Sequence, residues 1–261
     1  YLIFLTIFYQ HFQVFIWKTL NTIQNINLMT NRIFLILILT GISLAFSQNK
    51  GKRLTIDSLT TEMNESMGFI NTFHKNNKLY LEINKELLGK ELLMVTRFSQ
   101  YPGDYSSYIN AGSKTAENVI SFTLKGNHIV LKKLAYTNEA SDQDPIQISV
   151  IKNNFPPILA VFKIQNKEKE RYLIDVSSYF MNDSPGFNLI RKSDKERYKI
   201  GGIDKKRSFI DIANSYPKNI EIKSTLTYSA NNLSRSNNTK TLSFQINHSI
   251  ILLPKTLMQV R

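Results

Sequence analysis

From Phe73 onward the apolar residues of this chain recur at every second position, in short runs cut by Asn, Asp, Gly and Pro. Few patterns restrict a fold more. Period two sends alternate side chains to opposite faces of an extended segment, so each run needs neighbouring strands for its backbone and a core for one face. Leu79, Leu81 and Ile83 alternate after a turn at Asn76-Asn77. Residues 84–89 (NKELLG) read as one helical turn ended by Gly89. Residues 91–98 (ELLMVTRF) are too apolar for a strand with one wet face and read as a buried strand. Residues 118–124 and 128–136 flank Lys125-Gly126-Asn127, a hairpin signal. Further strands are predicted over 146–153, 157–164, 171–176, 208–213, 219–228 and 241–253, with a charged turn at 165–170 and a short helix at 177–180. Residues 48–72 read as a polar lead-in with one short helix over 59–67, capped by Asp57 or Ser58. Ten or more short strands with helix only in fragments predict a mainly β fold. It is an antiparallel sandwich or strongly curved sheet with a few short helices.

Ahead of that pattern, residues 29–48 (MTNRIFLILILTGISLAFSQ) have the layout of a secretory signal peptide. One positive charge, Arg32, precedes an apolar stretch over 33–45, and Ala45-Phe46-Ser47 supplies small residues for cleavage between Ser47 and Gln48. Residues 1–28 are interrupted by Gln10, His11, Gln13 and Lys18, too often for a membrane span, and are expected to be an upstream extension outside the protein. The expected mature chain is then 48–261, exported to the periplasm or beyond, with no transmembrane anchor once the signal is removed. Its β-rich region is 73–261.

Without a single Cys, an exported chain has no disulfides, no thiol chemistry and no lipid on a cleavage-site Cys. The net charge of +13 raises the question of nucleic acid. Yet Lys and Arg are spread along the chain, and the densest run, 191–207 (RKSDKERYKIGGIDKKR), holds three acids and one aromatic, Tyr198. It reads as a solvated strand–turn–strand rim, not a base-stacking groove, and no nucleic-acid partner is expected. His74, His128 and His248 have no metal-ligand spacing and read as surface or edge histidines. Asp142 and Asp144 lack the third acid and the Gly of a calcium loop, and suit turn chemistry. Gly201-Gly202 fits a bulge or turn better than a phosphate cradle. No catalytic and no metal-ligating residue emerges. The loop 101–108 is rich in tyrosine, and Tyr101, Tyr105 and Tyr108 form a candidate binding face, with core cover as the competing role.

Several segments carry a family resemblance when taken in order. They are Gly68-Phe69-Ile70-Asn71, Leu79-Tyr80-Leu81-Glu82-Ile83, and Leu87-Leu88-Gly89-Lys90-Glu91-Leu92-Leu93 with Val95 and Arg97. Then come Ala111-Gly112, Asn118-Val119-Ile120, Pro157-Ile158-Leu159-Ala160, and Ile174-Asp175-Val176 leading to Tyr179-Phe180. The series closes with Ser208-Phe209-Ile210, Ser215-Tyr216-Pro217-Lys218-Asn219-Ile220-Glu221, Leu226-Thr227-Tyr228, and Leu252-Leu253-Pro254-Lys255 with Met258-Gln259 and Arg261. From Gly68 to Arg261 the chain resembles the leading region, of unknown function, of large exported zinc-dependent metalloproteases, mostly from Bacteroidota. Val260 stands where the resemblance leads one to expect Pro.

The resemblance implies a non-catalytic role. In such proteins the zinc-binding H-E-x-x-H helix lies well past the segment matched by Arg261, so the chain is expected to be truncated at its C-terminal end. No zinc ligand or catalytic glutamate carries over, and no cofactor is expected in this chain. The implied partners are the absent peptidase domain and a peptide or protein substrate. An exposed apolar patch is expected where that domain docks. The alternative is a self-sufficient binding or interaction module of the cell envelope.

Overall fold

The computed structural model describes residues 13–21, 55–103, 105, 109–136, 140–141, 143–233 and 239–254. The chain divides into two compact units, Tyr1–Arg53 and Leu54–Arg261. In the first, a helix (α1) covers 13–21, with Val14, Phe15, Trp17 and Leu20 exposed along it. No helix among the described residues is long and apolar enough to cross a membrane. The leader at 29–47 and its cleavage point at Ser47 and Gln48 lie outside the described residues.

The second unit begins with α2 (Ile56–Thr60), β1 (Asn64–Ser66), β2 (Asn71–Lys75) and β3 (Lys78–Asn84). After a single 3-10 turn come β4 (Leu92–Gln100), β5 (Lys114–Lys125), β6 (His128–Leu134) and α3 (Gln147–Asn153). Then follow β7 (Ile158–Glu168), β8 (Arg171–Asp175), α4 (Ser177–Phe180), α5 (Lys192–Arg197) and β9 (Ile200–Ile203). Last are β10 (Phe209–Ser215), β11 (Asn219–Ala230) and β12 (Thr241–Leu252). The twelve strands form one sheet in the order β1-β2-β3-β8-β7-β6-β5-β4-β12-β11-β10, with β9 also on β11. Every pairing is antiparallel. The mainly β fold, and the curved sheet within it, are as the alternation predicts.

The sheet curls until its two ends meet, and side chains make the seam. The Asn77 carboxamide acts as a strand residue would: Nδ2 donates to the Ser208 carbonyl at 3.1 Å and Oδ1 accepts from the Ile210 amide at 3.2 Å. Thr72 Oγ1 donates to the Ala213 carbonyl at 2.9 Å, and Ser215 Oγ to the Ile70 carbonyl at 2.6 Å. The Ser215 amide in turn donates to Ser66 Oγ at 2.9 Å. Gly68 is needed at this crossing, because a Cβ there would lie within 2.5 Å of the Tyr216 carbonyl oxygen.

Alternation sets what faces inward. On β11, Ile220, Ile222, Ser224, Leu226 and Tyr228 are buried while Glu221, Lys223 and Thr225 face out. On β12, Leu242, Phe244, Ile246, His248 and Ile250 do the same. The concave side is filled by α4 and the chain after it. Val176, Tyr179 and Phe180 meet Leu81, Met94, Phe122, Leu131, Phe162 and Ile250, from six strands, around a void of only about 10 Å³. Phe187 joins them, edge-on to Tyr179 at 4.8 Å between ring centroids. Packing this close leaves room for no more than one water.

Four local expectations are corrected. Residues 146–153 form no strand. Asp144 Oδ1 accepts from the Ile146 amide at 3.0 Å and starts α3, which Asn154 ends by donating to the Val150 carbonyl at 2.8 Å. The early helix lies not over 59–67 but at α2, capped by Thr55 Oγ1 at 3.1 Å from the Ser58 amide, and the lead-in also supplies β1. Its Ile56 is buried with Phe73 and Leu173, which the sparse apolar spacing of the lead-in did not signal. In the basic run α5 replaces the first strand, held by Asp194, which accepts from Arg191 Nε at 3.1 Å and Tyr105 Oη at 2.7 Å. The turn expected over 165–170 shrinks to Lys169-Glu170, since β7 runs on to Glu168.

Candidate functional site

At Tyr105 and Tyr101 the tyrosine loop takes the role of core cover and not that of a binding face. Tyr105 is buried, its hydroxyl donating to Asp194 and its ring packed edge-on against Phe244 at 5.1 Å and tilted on Tyr198 at 5.4 Å. Tyr101 is half-buried against the core. Tyr108 lies outside the described residues. Tyr105 therefore ties the loop after β4 to α5, a role nothing in the loop sequence signals.

The histidines do not converge either. His74 Nε2 donates to the Asn76 carbonyl at 2.6 Å at the β2–β3 turn, and His128 is exposed at the start of β6. His248 is no surface residue: it is fully buried on β12. Its Nδ1 lies 3.1 Å from Thr96 Oγ1, and its ring sits 4.2 Å from that of Phe187 and 5.1 Å from that of Phe180. Among the described residues Nε2 has no hydrogen-bond partner, and burial pushes the imidazole pKa down to about 3, so the ring is neutral at physiological pH. Among the described residues no three His, Cys, Asp or Glu side chains stand together in a way that could hold a metal ion.

What the structure presents instead is exposed apolar surface, in two places of different character. The larger comprises α3 and the start of β7. Ile146, Ile148, Ile151, Phe155, Ile158 and Val161 range from 47% exposed at Ile158 to 73% at Phe155. No residue of α3 is buried. Ile148 and Ile151 are neighbours at helical spacing. Phe155 continues the surface beneath Lys132, whose Nζ lies 5.9 Å from its ring centre and whose backbone pairs with Ile158. Among the described residues the charges bordering this face are mainly positive, the exception being Asp144, exposed at the start of α3 with its Oδ1 on the Ile146 amide. Lys132, Lys152 and Lys163 border it without an ion pair among the described residues, and no acid occurs between Asp144 and Glu168.

The smaller place is at the seam. Met67, Phe209, Ile212 and Tyr216 are each more than a third exposed along β10 and the turn that crosses it. Beside them a groove of about 310 Å³ runs between β1 and β10, lined by Asn64, Glu65, Ser66, His74 and residues 211–214. Its charged residues are Glu65 and Asp211, and no Lys or Arg among the described residues lines it. Asp211 Oδ2 is engaged, accepting from Thr225 Oγ1 at 2.7 Å and Gln245 Nε2 at 3.3 Å.

Two family models match the chain. Residues 55–101 match a domain of unknown function, DUF5118, and residues 112–261, more than half of the chain, match a second, DUF5117. No curated protein and no solved structure matches it.

Proposed function

Since the chain belongs to the family defined by the domain of unknown function DUF5117, we propose that it is the non-catalytic, β-rich leading region of an exported zinc-dependent metallopeptidase. It is inactive alone and serves as a scaffold or substrate-positioning module for a catalytic domain that follows it. The observation that supports this reading best is the seam surface. Met67, Phe209, Ile212 and Tyr216 are apolar and aromatic side chains of the kind that anchor protein interfaces, beside a groove that no Lys or Arg among the described residues lines. The interior favours a scaffold role as well. Its side chains are closely packed around a void of about 10 Å³, which leaves function to the outside of the sheet. Zinc belongs to the proposed catalytic domain, and no residue of this chain is assigned to it.

The experiment is to sequence the gene past the codon for Arg261. An in-frame H-E-x-x-H several hundred residues downstream is the expected result. A stop codon with no such motif nearby overturns the reading and turns attention to a self-sufficient envelope module. Where the frame continues, charge placed on the seam by Tyr216→Asp with Phe209→Asp is expected to expose the junction to limited proteolysis while leaving the circular dichroism of the sheet unchanged.

A further inference from the structure

We infer that the face built from α3 and the start of β7 rests on an anionic lipid surface. The inference is independent of the reading above, because it concerns a different face. Six large apolar side chains stand exposed within sixteen residues: four Ile, one Val and one Phe. None carries a hydrogen-bonding group, and the Tyr, Trp and Arg anchors typical of protein interfaces are missing from them. The cations beside them are placed to reach lipid headgroups while the apolar side chains sink past that level. Lys152 follows Ile151 on α3, Lys163 shares the outward face of β7 with Val161, and Lys132 overhangs Phe155. None of the three is spent on an ion pair among the described residues, so all are free to attract a negatively charged bilayer. The same charges argue against a second copy as the occupant, since two such faces would bring three lysines against three with only Asp144, at the start of α3, to offset them among the described residues. The mechanics of α3 suit the role. With no residue buried in the protein, the helix can lie in the interface plane without costing the core any contact.

The test is flotation of the unit Leu54–Arg261, which carries its own core and lacks the apolar leader stretch at 33–45. The probes are vesicles of phosphatidylcholine alone and of phosphatidylcholine with an equal part of phosphatidylglycerol. The expected result is flotation with the anionic vesicles only. The triple variant Ile148→Ser, Ile151→Ser, Phe155→Ser keeps the charge and should weaken binding at least about tenfold. Lys132→Gln, Lys152→Gln and Lys163→Gln should each weaken it about fivefold, whereas Lys205→Gln with Lys206→Gln, outside the face, should change it far less. Circular dichroism confirms that each variant keeps its sheet. No flotation with anionic vesicles overturns the inference. So does equal binding by the triple variant, which would assign the effect to net charge alone. Concentration-dependent dimers that the triple variant abolishes, without vesicle binding, would give the face to a second copy.

Discussion

His248 is the residue whose chemistry the core constrains most. Neutral imidazole fits between Phe180 and Phe187, and imidazolium does not, because burial strips the charge of water and Nε2 meets no hydrogen-bond partner among the described residues. As pH falls below about 6.5, the ordinary value, the unfolded chain takes up a proton at His248 while the folded chain refuses it until about pH 3. The unfolded state then binds more protons, and acid favours unfolding by roughly 1.4 kcal/mol per pH unit across that window. His248→Phe removes the titrating group. It should lower stability at pH 7, because Thr96 Oγ1 loses its partner, yet flatten the fall in stability between pH 6 and pH 4. Urea titrations of both proteins at several pH values decide it; parallel curves would show that His248 is not the acid-sensitive group. Its inward position was legible in principle. In Leu242, Phe244, Ile246, His248 and Ile250 the histidine falls in phase with four apolar residues, and phase is stronger information than residue type. Tyr105 gave no comparable signal, because its partner Asp194 lies 89 residues away in sequence.

At the scale of elements, the seam is held by a few side chains where a ladder would use its backbone throughout. Asn77→Ala removes a donor and an acceptor together, leaving the Ile210 amide and the Ser208 carbonyl without those partners. The expected cost is about 2–3 kcal/mol, read as a lower urea midpoint. Asn77→Asp keeps the acceptor alone and should fall between the two. If Asn77→Ala costs nothing measurable, the seam is not a determinant of stability. Elements with turn chemistry of their own were the ones readable from sequence. Gly126 adopts φ 57° where β5 meets β6, and Gly89 φ 79° after its helical turn. The element most badly misread is α3. In Ile146, Ile148 and Val150 the strand period is satisfied, but Ile148 and Ile151 satisfy the helical one equally, and a run of eight residues cannot separate them. The tie is broken by Asp144-Pro145, a helix start, and by the absence among the described residues of any strand paired with this segment.

For the whole molecule, the two family matches describe sequence segments and not separate bodies. The first segment supplies β4, which lies between β5 and β12 of the second, and β3, which pairs with β8 of the second. Each segment therefore covers strand edges that the other would leave open, and the seam adds a third junction where Thr72 and Asn77 meet β10. Nothing local in the sequence announces this order, because register across strands 150 residues apart is set by the shared core and not by any turn. Neither segment should fold without the other. Residues 55–103 alone would hold β1 to β4 with no cover for Leu81, Met94 and Phe98, and should show the circular dichroism of an unfolded chain. The intact unit Leu54–Arg261 should unfold in urea as one transition, with circular dichroism and tyrosine fluorescence superimposing. Two separate transitions, or a folded first segment, would show that the boundary between the two matches is a boundary in the molecule as well. One coincident transition would mean that this family's unit of structure is the closed sheet, built by both segments together.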